Sequence, residues 1–417
     1  MKLNKEQALA HFSELLDQQI ARNARMKEDT EFTDFAACSP LVIGVCAGDG
    51  IGPAITAEAE RILRFLLAED VASGKVEIRT IEGLTLENRL AKGKAIPDDV
   101  LAELKACHLI LKGPTTTPDA GDKKNVGSAN VAMRRELDLF CNLRPVRIPE
   151  LGIDWAFFRE NTEGAYAMGE AGFEVDGVSL DFTVATEEGT ERIARLAYDY
   201  AKKNGKKRVS VITKANVIKQ TDGQFLNLCK QVGEEYPDII TDDWYADILT
   251  AKLLDESRRA QFEVMVLPNL YGDIVTDEAA QIQGGVGTAG GANIGRHYAM
   301  FEAIHGSGVR MVEEGRAQYA DPSSIIRAAA MLLAHAGYTE KANALNTAMD
   351  RCAAEKKLVI TGRADGATCT EYADYIMQTL TESCLRKGEI CHGKALFPLR
   401  RNELRQVHGA HSGGAQL

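Results

Sequence analysis

A run of β-prone residues at 41–47 breaks at Gly48-Asp49-Gly50-Ile51-Gly52-Pro53 and continues as a helical pattern to about position 67. Three glycines in five positions allow a tight reversal that side chains would obstruct. A proline at the first helical turn gives up only an N–H that would go unused. The result is a β-turn-α unit, and such units stack helices on a sheet. Short apolar runs recur at 76–81, 109–112, 155–159, 209–213 and 264–267, separated by helical stretches such as 191–203. The predicted class is α/β.

At 417 residues, with 45% hydrophobic and 26% charged residues, the chain is long enough for two domains. Its formal net charge of -11 argues against nucleic acid or an anionic membrane as partner, so any anionic ligand needs a local basic pocket. No apolar run approaches the roughly 18 residues of a membrane span. The nine cysteines are scattered without C-x-x-C pairs, which fits reduced thiols. Cys384, Cys391 and His392 come nearest to a metal-ligand spacing but lack a fourth partner. With no signal-peptide core and with acidic residues in the first helix, the expected location is cytoplasmic.

Residues 4–27 read as a polar amphipathic helix, a surface arm, followed by a linker to Cys38. Between about 168 and 185 a glycine-rich stretch gives way to alternation at Val178, Leu180, Phe182 and Val184, which predicts a hairpin off the main sheet. Excursions of this kind often mediate dimer contact. The final residues, about 411–415, read as a frayed tail.

Three constellations carry candidate chemistry. In Asn269-Leu270-Tyr271-Gly272-Asp273-Ile274-Val275-Thr276-Asp277, Asp273 and Asp277 are four apart and share a helical face. Paired carboxylates of this kind suit a hard cation such as Mg²⁺ or Mn²⁺. As a third ligand Asp247 is a candidate, its distance from the pair left open by the sequence. The second constellation runs from Ser128 to Arg147 and holds Arg134, Arg135, Arg144 and Arg147, with Arg159 at the end of a predicted strand. Arginines clustered in an acidic chain suggest bidentate carboxylate recognition, although Arg135 and Arg147 read as solvated bystanders. The third is Lys214, directly after a β-run, a general base if its surroundings lower its pKa. Tyr166, in Arg159-Glu160-Asn161-Thr162-Glu163-Gly164-Ala165-Tyr166, is an acid only if a charged pocket surrounds it.

In order along the chain, the GDGIGP turn, the S-x-N-x-x-x-R…LRPVR block, RENTEG-x-Y, K-x-N, NLYGDIVTD and FEAIHGS resemble the β-decarboxylating dehydrogenases, the isocitrate and 3-isopropylmalate dehydrogenase family. That resemblance implies a fold unlike the Rossmann domain: an N-terminal arm at 1–40, a large cofactor-binding domain at 41–139 and 284–417, and a small domain at 140–283. The small domain would hold a clasp at about 168–188 and dimer contacts. It implies a homodimer with shared active sites, a polycarboxylate substrate, and oxidative decarboxylation of isocitrate. Arg134, Arg144 and Arg159 would clamp substrate carboxylates, while Ser128 and Asn130 would meet the carboxylate peculiar to isocitrate. Asp247, Asp273 and Asp277 match the metal ligands, and Tyr166 and Lys214 the acid/base pair, with Lys214 and Asp247 coming from the neighbouring subunit. Homoisocitrate, isopropylmalate or tartrate dehydrogenase, or a non-catalytic regulatory subunit, are the rival readings. The G-x-G-x-x-G match at Gly285–Gly290 follows a helix, so it is a decoy rather than a dinucleotide fingerprint.

The resemblance also places the cofactor against Thr115, Thr116, Glu302, His305, Gly306, Ser307, Arg310 and Asp321. Arg310 stands where NAD enzymes of the family commonly have an aspartate, and an arginine there would attract the extra phosphate of NADP. NADP is therefore the expected cofactor, with NAD as the alternative. Met311 departs from the tyrosine or histidine frequent in NADP enzymes, and Asp321 replaces the asparagine usual near adenine in the family.

Overall fold

The glycine turn delivers what its spacing demands. In the structure, a computed structural model describing residues 1–118, 126–168 and 171–387, β1 (Leu41–Cys46) is wholly buried and is followed by the helix Gly52–Leu66. Gly50 has φ +62°, and a Cβ there would lie 2.0 Å from the Ser307 carbonyl oxygen. The helix buries Ile55, Ala59, Ile62 and Leu63, a stripe at helical spacing, against the sheet.

The remaining strands are β2 (Val76–Thr80), β3 (Leu109–Lys112), β4 (Cys141–Ile148), β5 (Ile153–Glu160), β6 (Phe173–Val175), β7 (Val178–Leu180), β8 (Arg208–Thr213), β9 (Ile240–Tyr245), β10 (Val264–Leu267), β11 (Gly290–Ile294) and β12 (Ala299–Ala303). Ten of them form one mixed sheet in the order β2-β1-β3-β12-β11-β4-β5-β10-β8-β9. Both ends are parallel, and the middle is antiparallel from β12 through β11 and β4 to β5. The class is α/β, as the alternation of strands and helices predicts.

One face of this sheet carries a continuous core, built from Ile43, Leu111, Phe158, Val211 and Phe301 under helices such as Ser323–His335 and Glu187–Lys203. The opposite face is covered by two separate cores, one around Val42, Ile110, Met133 and Met300 and the other around Trp155, Phe157, Met265 and Val275. Side chains alternate along a strand. Lys112 and Glu302 therefore continue the first of these cores, and Arg144 and Arg159 the second. All four end up on the central strands, at the seam between the two.

Several elements differ from the sequence expectation. β4, β9, β11 and β12 escape the apolar-run reading. The paired hairpin is shorter than its alternation suggests: among the described residues β6 pairs with β7, and Val184 bridges Gly164 instead. Gly169 and Glu170 lie outside the described residues. The helix Lys5–Glu28 is not a free surface arm: it starts with a reciprocal Asn4–Gln7 capping box and packs against the helix Glu187–Lys203 and β6. The Gly285 decoy is a 3-10 turn, Val286–Thr288, leading into β11. Cys391, His392, the side chain of Cys384 and the tail at 411–415 lie outside the described residues. Among the described residues, seven cysteines are free and no helix is long and apolar enough to cross a membrane.

Candidate active site

Arg159, next to last in β5, is 2% exposed. Its Nε and Nη2 donate to Asn269 Oδ1 at 3.1 and 2.7 Å, and its Nη1 pairs with Asp273. Arg144, on β4, donates from Nη1 to Asp277 Oδ1 at 2.8 Å and approaches Asp273 at 3.8 Å. Arg134, on the helix Ala129–Glu136, reaches Glu302 at 3.4 Å. The structure thus brings together the three arginines singled out in the sequence. It leaves Arg135 and Arg147 exposed. Burial and the charges of Arg134 and Arg144 push the Arg159 guanidinium down to about 10, only partly offset by Asp273. Such mutual repulsion favours an anionic ligand. The Nε atoms of Arg134 and Arg144 are buried without a partner, so donors remain unfilled in the group.

Asp273 and Asp277 lie one turn apart on the helix Asn269–Gln283, whose N-terminus follows the buried strand β10. Burial alone would raise the Asp273 carboxyl. Arg159, the Tyr166 hydroxyl and Arg144 instead hold it below the usual range. Tyr166 donates to Asp273 Oδ2 at 2.8 Å, and burial together with that carboxylate raises the phenol above its ordinary value. Tyr166 therefore holds its proton beside the arginines, as an acid requires.

Lys214 and Asp247 form a second group. Lys214 Nζ donates to Asp247 Oδ1 at 2.6 Å, and its backbone N–H donates to the buried Asp222 at 2.6 Å. Asp247, in the first turn of the helix Ala246–Leu254, is held below the usual carboxylate range by the lysine. Among the described residues no three His, Cys, Asp or Glu side chains stand together as a metal site. Within one chain, then, Asp247 does not complete a set with Asp273 and Asp277. The half-site fits a hard divalent cation in donor type, two carboxylates on one helical face, one of them largely exposed.

The cofactor candidates meet the glycine turn. Asp49 accepts from Leu86 N and Thr116 N, each at 2.8 Å, Ile51 N donates to the Ser307 carbonyl, and Thr116 and Ser307 share a hydroxyl contact at 2.8 Å. Thr115 donates to Asn130 Oδ1 at 3.0 Å, which joins a cofactor candidate to a substrate candidate. Ser128 caps the helix that carries Asn130 and Arg134, accepting from Val131 N. His305 donates from Nδ1 to the Gly306 carbonyl at 2.9 Å, and its Nε2 is buried without a partner. Arg310 is almost fully exposed and pairs with Glu314 at 2.8 Å, while Asp321, two residues before Ser323, accepts from Ser323 N at 2.8 Å. Glu302 differs from the others: it is buried and bound to Lys112, Arg134 and Asn293 Nδ2, the last at 2.7 Å. It lies beneath the site and charge-balances it.

A sequence model described as isocitrate/isopropylmalate dehydrogenase matches residues 42–376. The chain belongs to the isocitrate/isopropylmalate dehydrogenase family. Among its relatives, an NADP isocitrate dehydrogenase of Rickettsia prowazekii (strain Madrid E) is 36% identical over 320 residues, covering 75% of this chain and 63% of that protein. The chain thus spans under two thirds of that relative's length. A homoisocitrate dehydrogenase of Methanocaldococcus jannaschii is 34% identical over 334 residues, covering 76% of this chain and 92% of the relative. The crystal structure of isocitrate dehydrogenase from Methylococcus capsulatus superimposes with a TM-score of 0.71 at 32% identity, covering 81% of this chain and 99% of that one.

Two buried cations that sequence reasoning passes over border the candidate site. Lys112 is fully buried, donating to the Gly113 carbonyl at 2.9 Å and pairing with Glu302. The signal for it is a lone lysine closing an apolar strand before Gly113-Pro114. Arg89, also fully buried, donates to the carbonyls of Ala95, Thr116 and Gly127 at 2.8–2.9 Å, so it anchors both flanks of the segment leading to Ser128.

Proposed function

We propose that this chain is a metal-dependent, nicotinamide-linked dehydrogenase that oxidises and decarboxylates isocitrate to 2-oxoglutarate and CO₂, with NADP preferred to NAD. The observation that carries the reading is the convergence of Arg134, Arg144 and Arg159 with donors unfilled, Arg134 sharing its helix with Asn130 and with Ser128 as the N-cap. Three arginines and two small polar groups suit three carboxylates better than a dicarboxylate with an apolar side chain. Homoisocitrate is the second reading, favoured by the methanogen relative's near-complete coverage.

In this reading Asp273 and Asp277, with Asp247 of a second copy, hold Mg²⁺ or Mn²⁺. When bound, the metal favours ionisation of the 2-hydroxyl and polarises the carbonyl that replaces it, and the nicotinamide accepts the hydride. The arginines fix the carboxylates so that the reacting carbon cannot rotate away. Lys214, in its neutral form, takes the hydroxyl proton, and Tyr166 returns a proton to the carbon that loses CO₂. Because Lys214 and Asp247 form a pair apart from the arginine group, two copies each complete the other's site in a homodimer. Arg310 receives the 2′-phosphate of NADP.

The test is turnover of the purified chain on isocitrate, homoisocitrate and 3-isopropylmalate, each with NADP and NAD, with and without Mg²⁺. The reading expects the highest kcat/KM for isocitrate with NADP, abolished by exhaustive chelation. Higher kcat/KM on another acid moves the substrate assignment, and full activity without metal overturns the mechanism.

A further inference from the structure

The helix Lys5–Glu28 precedes the region shared with the family, residues 42–376, yet it reaches the candidate site. Arg22 Nη1 donates to Glu163 Oε1 at 2.7 Å, and its Nη2 donates to Thr162 Oγ1 at 3.0 Å. The Glu163 side chain is 3% exposed, and among the described residues Arg22 is the one cation paired with it. The same carboxylate accepts the Thr186 N–H at 2.8 Å and the Thr186 hydroxyl at 2.5 Å. It packs against Gly189 so closely that a Cβ there would lie 2.2 Å from Oε1. A buried carboxylate in such a seat needs its cation, because an uncompensated charge in low dielectric is costly.

Glu163 leads directly to two site residues. Its backbone carbonyl accepts from Asn269 Nδ2 at 3.0 Å, and Asn269 Oδ1 is the acceptor that orients the Arg159 guanidinium. The next residue, Gly164, opens the short helix Gly164–Ala167 that carries Tyr166. The geometry points to Arg22 as a positioning residue: by fixing Glu163 it holds both the Arg159 clamp and the Tyr166 turn in register. The helix before the family region is then part of the active-site scaffold. Secondary ties seat that helix, with Lys27 on Glu187 at 2.5 Å, the Met26 carbonyl on Arg296 at 3.0 Å, and His11 on the Ala171 carbonyl at 2.9 Å. The inference rests on the proposed roles of Arg159 and Tyr166.

Two measurements on the full chain test it, with Arg22→Ala and Arg22→Lys beside the wild type. Hydrogen exchange without substrate reads the coupling itself: Arg22→Ala should raise uptake at residues 162–167 while β8 and β10 stay protected. Kinetics read the consequence, a loss in kcat/KM of about 10- to 100-fold with kcat included in the loss, partly restored in Arg22→Lys, which keeps the charge but not the fork. Uptake raised only within residues 5–28, or kinetics equal to those of a wild type that turns over, would overturn the positioning role. A wild type that turns over none of the three acids instead sinks the functional reading, and the exchange result then decides the coupling alone. If Arg22→Ala does not fold, Arg22→Lys carries both measurements with the same outcomes.

Discussion

Lys112 and Glu302 face each other at 3.3 Å across β3 and β12, with Lys112 fully buried and Glu302 nearly so. Burial alone would raise the Glu302 carboxyl, but Lys112 and Arg134 together overcome it and hold the group at about 2. A carboxyl lowered on folding stabilises the native state above its unfolded pKa, and that contribution fades as pH falls from about 4.5 towards 2. Glu302→Gln should therefore cost about 3–5 kcal/mol near neutrality, where it leaves a buried lysine uncompensated. The gap from wild type should narrow steadily below about pH 4.5. Urea melts across a pH series check this; a gap that does not change with pH contradicts it.

Lys214→Met tests the proposed base. Its backbone N–H keeps the bond to Asp222, and the side chain it loses is paired with a largely exposed Asp247 and lies 5.8 Å from the Tyr245 ring centroid. Stability should stay within about 0.5 kcal/mol of wild type, while kcat falls by about 10²- to 10⁴-fold. Near-wild-type turnover in the folded variant would remove Lys214 from the mechanism.

The glycine turn makes a paired prediction. Gly50 and Gly74 both have positive φ, +62° and +75°, but only Gly50 abuts another backbone, and nothing lies within 4 Å of a Cβ at Gly74. Gly74→Ala should cost about 1–2 kcal/mol, the left-handed penalty alone. Gly50→Ala must also displace the Ser307 loop, so it should lower the melting temperature further and raise KM for the nicotinamide cofactor. Equal melting temperatures for the two variants would show that the contact does not constrain the fold.

Arg310→Ala addresses cofactor choice. The side chain is exposed and its ion pair with Glu314 spans one helical turn, so stability should change by no more than about 0.5 kcal/mol. The kcat/KM for NADP should fall about tenfold or more, as expected when a charge-assisted phosphate contact is lost. The value for NAD should barely move. A parallel fall with both cofactors would assign Arg310 a different role.

The parts of this molecule that were legible in its sequence are those whose signal is local. The GDGIGP turn announces β1 and its helix because the backbone geometry itself requires those residues, and the i,i+4 aspartates are fixed by helical periodicity. β4 was missed because Arg144, Pro145 and Arg147 interrupt its apolar character; it is a strand because β5 and β11 pair with it on either side. β11, reading Gly-Gly-Ala-Asn-Ile, has little strand propensity of its own. Gly290 is there because the helix Ser323–His335 passes so close that a Cβ would lie 2.5 Å from Ala328 N. β9 is an edge strand with polar residues on both faces. In the site, the convergence of Arg134, Arg144 and Arg159 follows from strand order, which no window of sequence contains. The Arg22–Glu163 pair joins residues 141 positions apart, and an arginine on a polar helix carries no mark of such a partner.

The position of β11 and β12 has a consequence for synthesis on the ribosome. β3 and β4 follow one another in the chain, yet in the finished sheet two strands made about 150 residues later separate them. At roughly 5–20 residues per second the inner borders of both strands wait about 7–40 s for their neighbours to be translated. For that interval the nascent chain exposes two ready-made templates for strand pairing with other molecules. A chaperone that shields them, or slower expression at lower concentration, should therefore govern the yield of soluble protein more than the stability of the finished fold does.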